Sequence, residues 1–318
     1  MAKVVEKPTK RQGQRERMQR EVQGRRRQRR LFLGGLITLA VIGLASVTWV
    51  VTTRGGSGGR AQALYQFHTA DIHSLAFDPR DANTVYFGHH EGLKISHDGG
   101  KSWQDTPLQK VDAMQLAMSS SDGARRYVAG HDVFRVSTDG GKTWHDQPTN
   151  LPGLDLHAFA ASPTNALHLY AAPAGKGLFT SNDGGAQWQS VTMPPVSGGG
   201  MGMIGLTVAF DDPLHLYAGG GNRVVESRDG GKTWQEQSGP AGAIMQLATG
   251  PSGTLYAGTD RGLAKRGTDG AWQVTALPSG KAVVALAAGP GQPERIAVVD
   301  EQGDFYRSDD GGQTWVHA

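Results

Sequence analysis

Residues 137–144 read STDGGKTW, and the phrase returns as SHDGGKSW (96–103), SNDGGAQW (181–188), SRDGGKTW (227–234) and SDDGGQTW (308–315). A looser sixth copy, KRGTDGAW, occupies 265–272. The closing tryptophans are Trp103, Trp144, Trp188, Trp234, Trp272 and Trp315, at intervals of 41, 44, 46, 38 and 43 residues. A period near 40 that contains several short strands is the signature of a propeller blade.

Working outward from the phrase, each unit opens with an alternating apolar segment: IHSLAFDP, AMQLAMSS, LHAFAASP, LTVAFDDP, MQLATGP and VALAAGP. A second segment follows as TVYFG, RYVAG, HLYAA, HLYAG, TLYAG and RIAVV. A third strand then leads into the phrase, and a fourth is expected to begin at the tryptophan. No part of 70–318 has helical periodicity. A lone four-stranded unit leaves an apolar face uncovered, so the units are expected to stack radially into a closed ring. The fold expected is an all-β, six-bladed β-propeller. ALYQFHT (63–69) offers one further strand and leaves a seven-bladed count open.

Within this scheme the phrase is the hairpin between strands three and four. Asp98, Asp139, Asp183, Asp229 and Asp310 can accept hydrogen bonds from the backbone of their own turn. The paired glycines supply positive φ, and the tryptophan buries a large ring. The pattern resembles the Asp-box, or bacterial neuraminidase repeat, which implies a propeller and a structural role for the repeat. The sixth copy has a shortened turn, with Asp269 three residues before Trp272. A tighter hairpin is expected there, poorer in internal hydrogen bonds.

The chain has 318 residues, Gly 46 and Cys 0, which excludes disulfides, thiolate metal centres and cysteine nucleophiles. Of its net charge of +3, residues 1–30 carry twelve Lys/Arg against three Glu, so the remainder is −6. The basic tail has no aromatic residue to stack on a base, and no nucleic-acid partner is expected. The run LFLGGLITLAVIGLASVTWVVTT (31–53) is uncharged. At 1.5 Å per residue it would span about 34 Å, enough for a bilayer core. Arg25, Arg26, Arg27, Arg29 and Arg30 precede it, so the positive-inside rule places the tail in the cytoplasm and the rest outside a bacterial-type cytoplasmic membrane. The organisation expected is a disordered basic tail (1–30), a signal-anchor helix (31–53), a flexible linker (54–63) and the propeller (64–318). Cleavage after Ala63, and export on the twin-arginine-like RRLFLGG (29–35), are the competing outcomes.

A site is expected where blades differ, at the channel mouth formed by the entries to strand one and the turns between strands two and three. The first three units share an entry motif, Asp71-x-His73, Asp112-x-Met114 and Asp155-x-His157. The next three carry Ile204/Leu206, Ala243/Met245 and Ala282/Val284 instead. The turns GHHEG (His89, His90, Glu91) and GHD (His131, Asp132) add to the same arc. Met201, Met203 and Met245 are candidates to complete the rim. Each Asp can serve simply as a turn acceptor and each His as a half-buried packing residue. Alternatively the arc binds a ligand, or a transition metal on His73, His90, His131 and His157. Imidazole suits Zn, Cu, Ni or Fe, and thioether would favour Cu(I).

Three function classes follow. The glycosylhydrolase-like propellers of the sialidase superfamily are similar over most of 70–318, and that resemblance implies glycan chemistry. The sialidase catalytic set is not carried over. Tyr86, Tyr127, Tyr170, Tyr217 and Tyr256 share one strand-two position, which marks them as packing, and no Arg-x-Pro motif opens the domain. Asp71, Asp112 and Asp155 remain as carboxylates for an ordinary glycosidase. The chain also resembles the non-catalytic Asp-box propellers of the photosystem II assembly factor and sortilin types, which implies a protein or peptide partner. That reading, a membrane-anchored extracytoplasmic binding module without a required cofactor, leads. A glycosyl hydrolase and a periplasmic metal-binding module are the alternatives.

Overall fold

The structure is a computed structural model, described for residues 62–69, 71–196 and 205–317. It contains six four-stranded antiparallel sheets. The innermost strands are Ser74–Phe77, Gln115–Met118, Leu156–Ala161, Gly205–Val208, Ile244–Thr249 and Val283–Gly289. Each innermost strand packs on the next, and the sixth packs on the first, so the ring closes. The chain therefore forms an all-β six-bladed propeller, and the seven-bladed alternative falls away.

The 63–69 segment explains the count. Tyr65–Gln66 pairs with Asp304–Ser308 and is the outermost strand of the sixth blade. The expected fourth strand after Trp315 is not formed; the N-terminal strand takes its place and ties the two ends of the ring together. Phe67 reinforces the closure. Its amide donates to Gly303 O at 2.8 Å, and its ring stacks on Phe87 of blade one with centroids 3.8 Å apart.

One register position repeats around the channel. Ala76, Ala117, Ala160, Thr207, Ala248 and Ala287 pair with Tyr86, Tyr127, Tyr170, Tyr217, Tyr256 and Ala297. Small residues line the channel wall at this level, where six strands converge. The tyrosines fill the space between blades, as the sequence implies. Tyr127 Oη donates to Ala166 O at 2.8 Å and Tyr170 Oη to Pro213 O at 3.0 Å, each reaching the next blade. Between blades one and two, the buried Arg126 guanidinium pairs with Asp78 and lies 5.2 Å over the Tyr86 ring.

The repeated phrase folds as one device. In blade one, the Lys101 and Ser102 amides both donate to Asp98 Oδ1 at 2.9 Å, and Ser102 Oγ donates to Oδ2 at 2.6 Å. Ser96 Oγ donates to Asp98 Oδ1 at 2.8 Å while accepting from the Gly100 amide at 2.8 Å. Gly99 and Gly100 have φ of 74° and 94°, a conformation that costs L-residues steric strain. Trp103 Nε1 closes the turn on Gly100 O at 3.1 Å. The same aspartate bonds recur around Asp139, Asp229 and Asp310, but Trp234 Nε1 donates instead to Thr192 O at 2.9 Å. At Asp183, Gln187 stands where the others have a hydroxyl, and only amides and Ser181 donate. In the shortened fifth hairpin Asp269 retains a bond from the Ala271 amide at 3.0 Å, so the turn is tighter but not stripped of its aspartate contact.

Among the described residues no helix is long and apolar enough to cross a membrane. The tail, the apolar run 31–53 and the linker through 61 lie outside the described residues, as do Met201 and Met203.

Candidate functional site

Strand order fixes the two faces of the ring. The phrase hairpins and the loops after strand one share one face, and the turns between strands two and three share the other. On that second face the arc of blades one to three comes together. His90 and His131 sit on the strand-two-to-three turns of blades one and two; Asp71, Asp112 and Asp155 stand at the entries to strand one.

Close approach of neighbouring blades makes the cluster. A Cβ at Gly88 would lie 2.3 Å from Ala113 O, so only glycine lets the blade-one turn settle against the entry of blade two. Two backbone bonds lock that contact: Lys110 N to Glu91 O at 2.8 Å and Ala113 N to His89 O at 3.1 Å. In this position His90 Nδ1 lies 2.8 Å from Asp112 Oδ1, and His90 Nε2 lies 3.6 Å from Asp71 Oδ1. His73 Nε2 faces the same Asp112 Oδ1 at 3.7 Å.

Asp112 links the two halves of the arc. Its second oxygen, Oδ2, accepts a hydrogen bond from His131 Nδ1 at 2.5 Å. Beyond it, Asp155 Oδ1 is approached by His131 Nε2 at 3.4 Å and by His157 Nε2 at 3.1 Å. Acid and imidazole thus alternate from Asp71 through His90, Asp112, His131 and Asp155 to His157. His157 is set beside Asp155 by a register shift between Leu156 and Ala158, where one extra residue re-aims the side chain.

The cluster is half-sheltered; the Asp112 side chain is 13 % exposed and that of His73 15 %. Burial, followed by repulsion from His90, pulls the His73 pKa below the ordinary imidazole value, outweighing the attraction of Asp112 and Asp71. His73 Nε2, Asp112 Oδ1 and Asp155 Oδ1 are buried with no aligned hydrogen-bond partner.

Three expected site residues stand apart. His89, the last residue of its strand, points away from the cluster: it is buried, stacks near Phe87 and accepts from the Glu91 amide through Nδ1 at 3.3 Å. Burial, then Lys94, lowers its pKa. Met114 is 3 % exposed and packed inside, so it offers no thioether to the mouth. Glu91 sits exposed at the turn, and among the described residues no ion pair or hydrogen bond ties its carboxylate to the cluster. Met245 is exposed and lines the channel on the far side of the ring.

Below the arc lies a channel of about 910 Å³. Asp71, His73 and His90 stand at its mouth; Pro79, Pro163 and Pro251 line its opposite end. The channel also carries polar side chains that the blade repeat does not predict. Gln115 and Gln246 project from the innermost strands, and Gln246 Oε1 accepts from the Leu286 amide at 2.6 Å, a bond between blades five and six. A polar residue within an otherwise apolar innermost strand was the available signal.

Comparison with known proteins accords with this architecture. The BNR/Asp-box repeat model matches residues 94–105, 135–146 and 306–317, so the chain carries BNR/Asp-box repeats. None of the curated proteins compared is significantly similar in sequence. YCF48 from Cyanidioschyzon merolae superposes with a TM-score of 0.50 at 19 % identity, over 78 % of this chain and 84 % of that one. The GH74 xyloglucanase of Xanthomonas campestris gives 0.54 at 20 % identity, over 80 % of this chain and 46 % of the enzyme. A Bacteroides thetaiotaomicron protein of unknown function gives 0.58 at 15 % identity, over 74 % and 68 %. The chain thus spans less than half the length of two of the GH74 enzymes it resembles, the Xanthomonas one and an ancestral one covered to 42 %. At these identities the likeness is one of fold.

Proposed function

We propose that the chain is a non-catalytic, membrane-anchored propeller that works outside the cytoplasmic membrane and takes a segment of a partner polypeptide into its channel mouth. The observation that carries this reading is the pairing of an acid–imidazole arc with a largely apolar channel of about 910 Å³. Volumes of this order hold ligands of a few hundred daltons or a few peptide side chains. The throat accepts apolar groups, and the Asp71 carboxylate at the rim, in a domain of net negative charge, favours an ammonium or guanidinium. The anchor and the orientation rest on the apolar run 31–53 and the arginines before it.

A photo-crosslinking residue placed at Ala248, on the channel wall of blade five, tests the reading against one placed at Lys142, on the phrase face. Polypeptide adducts are expected from position 248, lost when Ala160→Trp fills the channel. Identical adducts from both positions, or none from 248, would refute it. The three carboxylates of the arc, of which Asp71 lines the channel mouth, support a second reading, glycoside hydrolysis by a carboxyl pair. Cleavage of a polysaccharide panel, abolished by Asp71→Asn, Asp112→Asn or Asp155→Asn, would establish that instead.

A further inference from the structure

The arc contains a local problem that hydrogen bonding does not solve. Because Asp112 Oδ2 is an acceptor, His131 carries its proton on Nδ1, and in the neutral ring Nε2 is then a lone pair. That lone pair points toward Asp155 Oδ1 at 3.4 Å, and His157 Nε2 approaches the same oxygen at 3.1 Å without alignment for a hydrogen bond. The other half repeats the pattern. His90 Nδ1 and His73 Nε2 converge on Asp112 Oδ1 at 2.8 and 3.7 Å, with Asp112 Oδ1 and His73 Nε2 both buried and unpartnered. In each half two imidazoles and one carboxylate oxygen gather within 4.8 Å of one another.

We propose that these two triads are adjacent binding sites for divalent transition-metal ions of the borderline class, with zinc as the type ion: His73, His90 and Asp112 hold one, and His131, Asp155 and His157 the other. An ion about 2.0–2.1 Å from tetrahedral donors sets those donors about 3.3 Å apart. The contacts to Asp112 Oδ1 and Asp155 Oδ1, from 2.8 to 3.7 Å, bracket that value. A single cation in each half satisfies the facing donors together, which one shared proton cannot do. Nitrogen donors exclude calcium and magnesium and suit zinc, copper or nickel.

The surroundings supply the outer support such sites use. His90 coordinates through Nδ1 and presents Nε2 to Asp71 Oδ1 at 3.6 Å; His131 coordinates through Nε2 while Asp112 Oδ2 holds its Nδ1 proton. A carboxylate behind a ligating imidazole fixes its tautomer and raises its basicity. Asp112 therefore serves both halves, as a ligand in one and an orienting group in the other. Three protein donors leave a coordination position open, and at the first triad it faces the channel, which His73 and His90 line. The proposal does not depend on a polypeptide partner, because the protein alone supplies the donors.

The test uses the full chain without a histidine tag, stripped with EDTA, loaded with zinc chloride, desalted and measured by elemental analysis. The wild type is expected to retain about two equivalents, one for each triad. His73→Ala and His157→Ala should each retain about half of that, and Asp112→Asn should lose the first equivalent and release the second at least ~10-fold more readily. His97→Ala, on the opposite face, should retain the full complement, and far-ultraviolet circular dichroism should show all variants folded. Cobalt(II) in place of zinc should give visible bands of low-symmetry cobalt that disappear in the double variant His73→Ala/His157→Ala. No retained zinc in the wild type overturns the proposal, as does retention unchanged in His73→Ala and His157→Ala. A single equivalent lost with one triad alone overturns the paired arrangement. Metal loss with channel crosslinking intact, or the reverse, separates this proposal from the partner reading.

Discussion

Replacing Phe67 by alanine should open the ring at its seam. Phe67 is 4 % exposed and belongs to no blade's repeat; it joins the N-terminal strand to blade one by stacking on Phe87, with Trp103 edge-on at 5.0 Å and Phe305 perpendicular at 6.4 Å. Truncating a buried phenylalanine costs about 3–5 kcal/mol. The aromatic contacts, worth about 0.5–1.5 kcal/mol per pair, put this case at the upper end. For a domain of this size each kcal/mol lowers Tm by about 2–4 °C, so a fall of about 8–20 °C is expected. Thermal unfolding followed by tryptophan fluorescence reads it directly, since Trp103 lies in the same cluster. The exposed Gln66, the last residue of the strand and immediately before Phe67, is the control; Gln66→Ala should change stability by no more than about 0.5 kcal/mol. If Phe67→Ala lowers Tm by less than about 3 °C, the N-terminal strand does not close the ring and the argument for closure fails.

Three further outcomes follow from the same geometry. Arg126→Ala leaves the buried Asp78 carboxylate uncompensated and should cost about 3–5 kcal/mol in chemical denaturation, whereas Arg126→Leu with Asp78→Leu should recover most of the loss. The Thr233 hydroxyl, then the Thr233 amide, hold Asp229 at about 2, below its ordinary 3.8. A carboxyl depressed on folding contributes stability that is complete above its unfolded value and lost as pH falls through the folded one, so Asp229→Asn should flatten the decline in Tm between about pH 4 and pH 2. Gly100→Ala would put a Cβ 2.0 Å from Phe305 in a left-handed conformation and should cost about 2–5 kcal/mol by thermal melt, while Gly175→Ala, with nothing within 4 Å, should cost only the backbone strain of about 1–2 kcal/mol.

Part of this protein is written in local sequence. The eight-residue phrase makes its serine and aspartate bonds within itself, from Ser96 to Ser102, so its recurrence specifies the hairpin turn locally. Alternation in the innermost strands and the common tyrosine position extend that reading to blade, ring and inter-blade packing, because a period-two pattern fixes which side chains turn inward. The arc of Asp71, His73, Asp112, His131, Asp155 and His157 was also legible, as a departure from repeat symmetry.

Other features depended on contacts between distant residues or on a single step of register. His89 and His90 are neighbours in sequence, yet His89 ends its strand against Phe87 while His90, the first residue of the turn, reaches the mouth. Met114 and His157 occupy matching positions, but the shift between Leu156 and Ala158 brings the histidine beside Asp155 while the methionine stays packed inside. The closing strand comes from residues 65 and 66, some 240 positions from its partner, a pairing no local pattern encodes. Sequence alone determined the scaffold because hairpins and blades close over short loops. The meeting of His90 with Asp112, and of His131 with Asp155, was decided only when neighbouring blades came into contact.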